Sequence, residues 1–223
     1  MSSIGWACVD PATGEEAHEG GERVVPAAST VKLFVASAFW RSGLDPDERI
    51  EHVPPAGSAG IAEYLSAGSR LTLADLALLM LAVSDNAATN VLLDRLGFDA
   101  VNAEVARLGL ERTEVRRPMM TAGPENLTCA LDLARGYAAI LDEPRIPAAL
   151  ELALDSQLRY HLPAGVTVAA KTGELDSVFH ETALLDDGNR RLVTAVCSSP
   201  PARPDEVSAR AAALWQSLNN RQG

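Results

Sequence analysis

The chain has 223 residues, 47% apolar and 22% charged, enough for a sizeable core, and carries 30 acids against 19 bases for a net charge of −11. That balance excludes nucleic acid and anionic membrane as expected partners, since both are bound through basic patches. No run approaches ~20 consecutive apolar residues, so no membrane-spanning helix is expected.

The start, "MSSIGWACVDPATGEE", has neither a basic leader nor a long apolar run, and the expectation is a cytoplasmic protein. Cys8, Cys129 and Cys197 are odd in number and widely separated, which fits reduced, buried thiols rather than a disulfide or a metal site. His18, His52, His161 and His180 are scattered as well, and no metal or organic cofactor is expected.

"IGWACVD", "PATGEE" and "GERVVPA" read as strand, turn and strand. A helix follows from about Ala28 to Arg41, closed by Ser42-Gly43. Its apolar residues leave no polar stripe, so protein should surround it on all sides. Residues 51–69 are turn-rich. Thr72 with Asp75 predicts a capping box opening a helix that runs to about Val83. A second helix is predicted from near Asn86 to Gly97, and a third over "DAVNAEVARLG", ending at Gly109. "ERTEVRRPMMTAGPENLT" reads as a loop, and "ALDLARGYAAIL" as a helix.

After Pro163 the period changes. "VTVAAKTG", "SVFHETALLDD" and "RRLVTAVCSS" are three strands, with turns expected at Gly173-Glu174 and Asp187-Gly188-Asn189. A helix over "PDEVSARAAALWQSL" closes the chain. The expected fold is α/β of the α+β kind: about five antiparallel strands drawn from both ends of the chain, flanked by terminal helices. The sheet-containing part should span 1–45 and 163–223, with an all-helical subdomain, 46–162, inserted between and a cleft at the seam.

Three short motifs carry chemistry. Ser29 and Lys32 lie one helical turn apart on one face, and a lysine desolvated there can take the serine proton. Alone, such a pair is common by chance. Ser84-Asp85-Asn86 stands between two helices, where it reads equally as a capping cluster or as a hydroxyl and an amide facing a cleft. Lys171-Thr172-Gly173 ends a strand; it could be a charged strand end, or an edge where glycine admits ligand and backbone closely.

Together, in this order and on these elements, the motifs S-x-x-K, S-D-N and K-T-G are hard to obtain by accident. On them the sequence resembles the serine penicillin-recognising enzymes, specifically the class A β-lactamase branch. The likeness extends over "LTLADLALLMLAVSDNAATNVLLDRLG", with Asn90 downstream of S-D-N, and over "LPAGVTVAAKTG".

The resemblance implies Ser29 as nucleophile and Lys32 as its base. It implies Ser84 as proton donor to the leaving nitrogen, with Lys171 orienting that relay. Asn86 and Thr172 would hold the substrate, and the backbone N–H groups of Ser29 and of Glu174, just past Gly173, would receive the oxyanion.

The chain also departs from the class A pattern. Aligned from S-D-N, Arg117 fits the arginine that anchors the deacylation loop, while the catalytic glutamate position falls near Met119. Glu125 is the nearby acid, either a relocated base or a staple for Arg117, and Glu114 is a poorer candidate. Where the family offers a basic residue to the substrate carboxylate, the approximate match is His180; the alternative position holds Gln157, and Arg159 fits a structural arginine.

The acylation machinery is therefore expected intact, without the usual glutamate for deacylation. The expected substrate is a small amide, ester or β-lactam. The reading leaves open a β-lactamase-like hydrolase, an acyltransferase, a D-amino-acid peptidase or esterase, a slow-turnover β-lactam binder, and a non-catalytic descendant.

Overall fold

The computed structural model describes residues 3–51, 53–54, 56, 60–65 and 70–219. His52 and part of the turn-rich 51–69 stretch lie outside them.

Among the described residues, nine strands and seven α-helices follow in chain order. Strands β1 (Ser3–Val9), β2 (Glu16–Glu19) and β3 (Val25–Pro26) lead into a 3-10 turn over Ala28–Val31 and helix α1 (Lys32–Arg41). Strands β4 (Arg49–Ile50) and β5 (Leu71–Thr72) precede α2 (Leu73–Ala82), α3 (Asn86–Leu96) and α4 (Phe98–Arg107). Strand β6 (Leu127–Thr128), α5 (Ala130–Ala139) and α6 (Arg145–Glu151) come next. The chain ends with β7 (Thr167–Leu175), β8 (Val178–Asp186), β9 (Arg191–Ser199) and α7 (Pro204–Asn219).

The main sheet has five antiparallel strands in the order β2-β1-β9-β8-β7, so both ends of the chain build it, as expected. Helix α7 packs on β8 and β9, closing a core of Val168, Ala170, Val207, Ala211 and Trp215. On the other face, α5 and the 3-10 turn lie against the strands, backed by α1 among α2, α3, α4 and α6. That larger core joins Phe34, Val35, Leu76 and Leu92 to Ala7, Val193 and Ala195 of the sheet. Every residue from Lys32 to Phe39 is buried, which is what a helix without a polar stripe requires.

Several boundaries follow local chemistry closely. Thr72 Oγ1 accepts from Asp75 N at 3.1 Å and Asp75 Oδ2 from Thr72 N at 2.8 Å, a closed capping box. Helix α3 ends at Gly97, whose φ of +76° needs no Cβ to be accommodated.

Three expectations need correction. The second strand is Glu16–Glu19, not the 21–27 stretch, because Val25–Pro26 pairs with Leu127–Thr128 outside the main sheet. Strand β7 runs through Gly173-Glu174 to Leu175, so the reversal falls at Asp176-Ser177. Helix α6 was not expected, since Pro147 masks its pattern; that proline sits in the first turn, where its missing N–H has no intrahelical role.

One contact ties the helical layer to the strand bearing K-T-G. The fully buried Tyr137 of α5 donates from its hydroxyl to the Ala169 carbonyl of β7 at 3.0 Å. Tyr137→Phe is expected to leave that carbonyl unsatisfied and to lower stability by about 1–3 kcal/mol, read by urea unfolding.

Candidate active site

Ser29 sits in the 3-10 turn that opens α1, just after Ala28, a non-glycine residue at φ +49°. Lys32 begins the α-helix proper and is completely buried. Its Nζ lies 2.7 Å from the Ser84 carbonyl, 2.8 Å from Asn86 Oδ1 and 3.1 Å from Ser84 Oγ. Lys171 comes from β7, 1% exposed, and donates to Ser84 Oγ at 3.0 Å and to the Thr172 carbonyl at 2.8 Å. One serine hydroxyl thus bridges two buried amines.

The donor count fixes how such a bridge can work. A neutral amine has two N–H groups and one lone pair. Lys32 can then donate to the two carbonyl-type oxygens while accepting from the Ser84 hydroxyl, which in turn accepts from Lys171. The electrostatics favour that state. Burial, and next the Lys171 ammonium, push Lys32 well below the ordinary lysine range, against the pull of Asp85 and Asp155. Burial also lowers Lys171, to about 8, with Asp155 opposing.

The Ser84 hydroxyl is aimed by a backbone turn at φ +55°, a region non-glycine residues seldom occupy. Asp85 holds that turn. Its Oδ1 caps α3 by accepting from Ala88 N at 2.8 Å, and its Oδ2 accepts from Ile61 N and Ala62 N, both at 2.7 Å. Both readings of S-D-N are therefore realised at once: the aspartate caps, while the serine and asparagine face the lysines.

Gly173 explains its own identity. A Cβ there would stand 3.1 Å from Ser29 N, 3.1 Å from Ala28 Cβ and 3.0 Å from Thr30 Cγ2. A side chain there would push β7 and the nucleophile turn apart by a few tenths of an ångström, so glycine suits this close approach. Strand β7 is also one of the two edge strands of the sheet, and its last residues border a cleft. Ser29, Ser84, Asn86, Thr172 and Glu174 line that cleft with Met119, Glu125, Asp155 and Phe179.

Ser29 Oγ makes no hydrogen bond among the described residues. The direct Lys32–Ser29 contact expected from S-x-x-K is not formed in this arrangement, where Lys32 serves Ser84 and Asn86 instead. Catalytic hydrogen bonds commonly close only when substrate is bound.

His180, expected to face the substrate, does not line the cleft and is fully buried. Its Nδ1 accepts from Ser198 N at 3.3 Å, leaving Nε2 as the donor to the Pro26 carbonyl at 2.8 Å. Burial holds it neutral, below the usual histidine range. It fastens β8 to the segment leading into Ser29. Glu125 pairs with Arg117 at 2.7 Å, the staple arrangement, and still borders the cleft. Met119 N and O are clasped by the Asn90 side chain at 2.7 and 3.1 Å, so an apolar side chain stands at the expected glutamate position.

Comparison with known proteins decides what this arrangement belongs to. The model of the β-lactamase enzyme family matches residues 2–218. The chain belongs to that family. It is thereby a serine hydrolase of the β-lactamase-like class. A β-lactamase from Sphaerobacter thermophilus DSM 20745 is 29% identical, with a TM-score of 0.82 over 95% of this chain and 88% of that one. The protein PBP-A is 26% identical, with a TM-score of 0.86 over 98% and 91%. A variant of the last common ancestor of Gram-negative bacteria class A β-lactamase shares the fold at 24% identity and a TM-score of 0.88, over 100% and 94%. No curated protein matches significantly.

Within this family member, sequence reasoning missed Asp155. It lies in the loop between α6 and the Leu158–Tyr160 3-10 turn, and its carboxylate accepts a hydrogen bond from Thr172 Oγ1. Nothing in its neighbourhood marks it, because only the fold brings it to the end of β7. The next residue, Ser156, is anchored on the buried Glu181 at 2.5 Å, and Ser208 of α7 holds the other carboxylate oxygen at 2.6 Å. Thr172 and Glu181 are direct cross-strand partners, so this anchor lies beside the threonine.

Asp85→Ala would strip three backbone N–H groups of their acceptor. The expected loss is about 2–4 kcal/mol of stability, with hydrogen exchange accelerating at the Ile61, Ala62 and Ala88 amides.

Proposed function

We propose that the protein forms an acyl-enzyme at Ser29 on a β-lactam or a related small amide or ester, and releases it slowly. The observation that carries this reading is the Ser84 hydroxyl held between Lys32 and Lys171, beside a nucleophile turn brought close to the strand edge by Gly173.

Ser29 Oγ attacks the carbonyl carbon, forming a C–O bond and moving the π pair onto oxygen. The Ser29 and Glu174 N–H groups receive that oxyanion, each donor of this kind being worth about 3–4 kcal/mol. Collapse breaks the C–N bond. The Ser29 proton passes to neutral Lys32 and reaches the leaving nitrogen through Ser84, which Lys171 polarises. Asn86 and Thr172 orient the substrate. A β-lactam keeps its opened ring attached, so the adduct has the mass of enzyme plus probe.

Deacylation needs an activated water. Met119 stands where the class A glutamate is expected, and Glu125 is committed to Arg117. These features support a long-lived acyl-enzyme. PBP-A, similar in structure, has been captured in mutant form as an acyl-enzyme complex with penicillin G. The absence of a glutamate at 119 equally suits acyl transfer to an amine that needs less activation than water, and the open edge of β7 suits an extended acyl donor.

Intact-protein mass spectrometry with penicillin G is expected to show one adduct, absent in Ser29→Ala, that persists after excess probe is removed. Rapid turnover without accumulating adduct would contradict slow release. The lack of any adduct with β-lactams and activated esters would contradict acylation itself.

The pH dependence has a definite sign. Lys32 must be neutral, so the acylation rate falls on the acid side as it gains a proton, well below ordinary lysine values. Lys171 must be charged, so the rate falls as pH rises through about 8. Acylation rates from about pH 5 to about pH 10 are expected to trace a bell, whose two limbs belong to the coupled pair. Lys171→Arg should move the alkaline limb upward.

A further inference from the structure

We infer that Asp155 sets the substrate class of this site: the group borne next to the scissile bond, on the side of the leaving atom, is an uncharged or cationic hydrogen-bond donor rather than a carboxylate. The inference rests on the acyl-enzyme reading and narrows it.

The position of the group follows from the relay. Ser84 delivers the proton to the leaving nitrogen and is bonded to Lys171, whose neighbour in β7 is Thr172. Ser84 and Thr172 both line the cleft, so a substituent next to that nitrogen comes within reach of Thr172. A hydroxyl has one proton and two lone pairs. The Thr172 proton is given to Asp155 Oδ2, leaving Oγ1 only lone pairs to offer. A carboxylate arriving there needs that proton and meets the Asp155 charge at contact distance. An amide N–H or an ammonium instead donates to Thr172 Oγ1 and is drawn by Asp155.

The surrounding charges do not compensate an arriving anion. Among the described residues that line the cleft, Arg117 is the only basic one, and Glu125 already pairs with it. Lys171 is buried outside the cleft lining, gives two of its three N–H groups to Ser84 and the Thr172 carbonyl, and has the Asp155 charge nearby. Glu174 adds a further carboxylate on the same wall. His180, the family-like candidate for a cation, is buried outside the cleft lining, bonded to the Pro26 carbonyl, and held neutral by burial.

Asp155 is also a placed residue. Ser156, buried beside it, is bonded to Glu181, which is fixed in turn by Ser208, so the backbone leading into Asp155 is fastened to β8 and α7. The Asp155 side chain itself is exposed on the cleft, so its substitution removes no core contact.

Three probes sharing one reactive ring separate the possibilities: penicillin G, its primary carboxamide, and its 2-aminoethyl amide. The second-order rate of adduct formation at Ser29 is read by intact mass. In the wild-type protein the carboxamide and the aminoethyl amide are expected to acylate at least about tenfold faster than the free carboxylate. Relative to the carboxamide, Asp155→Asn should raise the carboxylate rate about tenfold and lower that of the cationic probe, while a change common to all three probes reports the Lys171 charge that Asp155 supports.

The inference is overturned if the free carboxylate is the fastest probe in the wild type, or if Asp155→Asn shifts all three rates by the same factor. Those outcomes leave the acyl-enzyme intact and reject only its specificity. Failure of all three probes to label Ser29 rejects the acyl-enzyme reading, and the specificity with it.

Discussion

Two lysine amines buried around a single serine hydroxyl are the constraint from which the rest of the site follows. Two ammonium ions, each about 3 Å from one oxygen and shielded from water, would repel strongly while forfeiting their hydration. The arrangement is tolerable when one of them gives up its proton. Both are buried, but Lys32 also bears the repulsion of the Lys171 charge and is the one driven well down. Its neutrality leaves a lone pair inside the protein, a base made by packing alone. Lys171 keeps enough proton affinity, with Asp155 nearby, to stay the charged member at neutral pH.

Holding those groups together takes three separate parts of the chain. The burial of α1 on all sides removes water from Lys32. Asp85 gathers the start of α3 and the 60–62 segment onto one carboxylate and so supports the strained turn that points Ser84 inward. Strand β7 supplies Lys171, and Tyr137 and Gly173 set its height over the helical layer, one by a hydrogen bond and the other by the absence of a side chain. His180 belongs to the same scaffold: it secures the approach to Ser29 rather than meeting a substrate. Met119, Glu125 and Asp155 line the same cleft, and it is at these positions that the chain differs from the pattern its motifs suggest.

Those positions bear on the chemistry. Met119, its backbone clasped by the Asn90 side chain, stands where a water-activating carboxylate is expected, and the Asp155 carboxylate accepts a hydrogen bond from Thr172. Under the acyl-enzyme proposal, both features bear on steps after or around the attack of Ser29, and neither residue is bonded to the two lysines. A family fold can thus keep its means of acylation while altering what is acylated and how fast it is released.

Much of this was written locally. The capping box at Thr72 and Asp75, the glycine stops, the buried helix after Ser29 and the alternation of the last three strands are short-range patterns, and they gave the elements and the five-stranded sheet. The three motifs were legible because their spacing within one turn or one strand fixes side chains on a shared face. The second strand and α6 were obscured by local ambiguity: a second apolar run after Gly21 outcompeted the polar β2, and Pro147 hid a helix whose first turn accepts it. What the tertiary structure alone decided were relations between distant segments. Residues 52 positions apart meet at the Lys32–Ser84 contact, His180 turns to Pro26 across the sheet, and Asp155 reaches Thr172 from a loop with no pattern of its own. Sequence determines which groups exist and their local direction; whether a histidine faces ligand or backbone, and which carboxylate stands at a threonine, depends on how the layers pack.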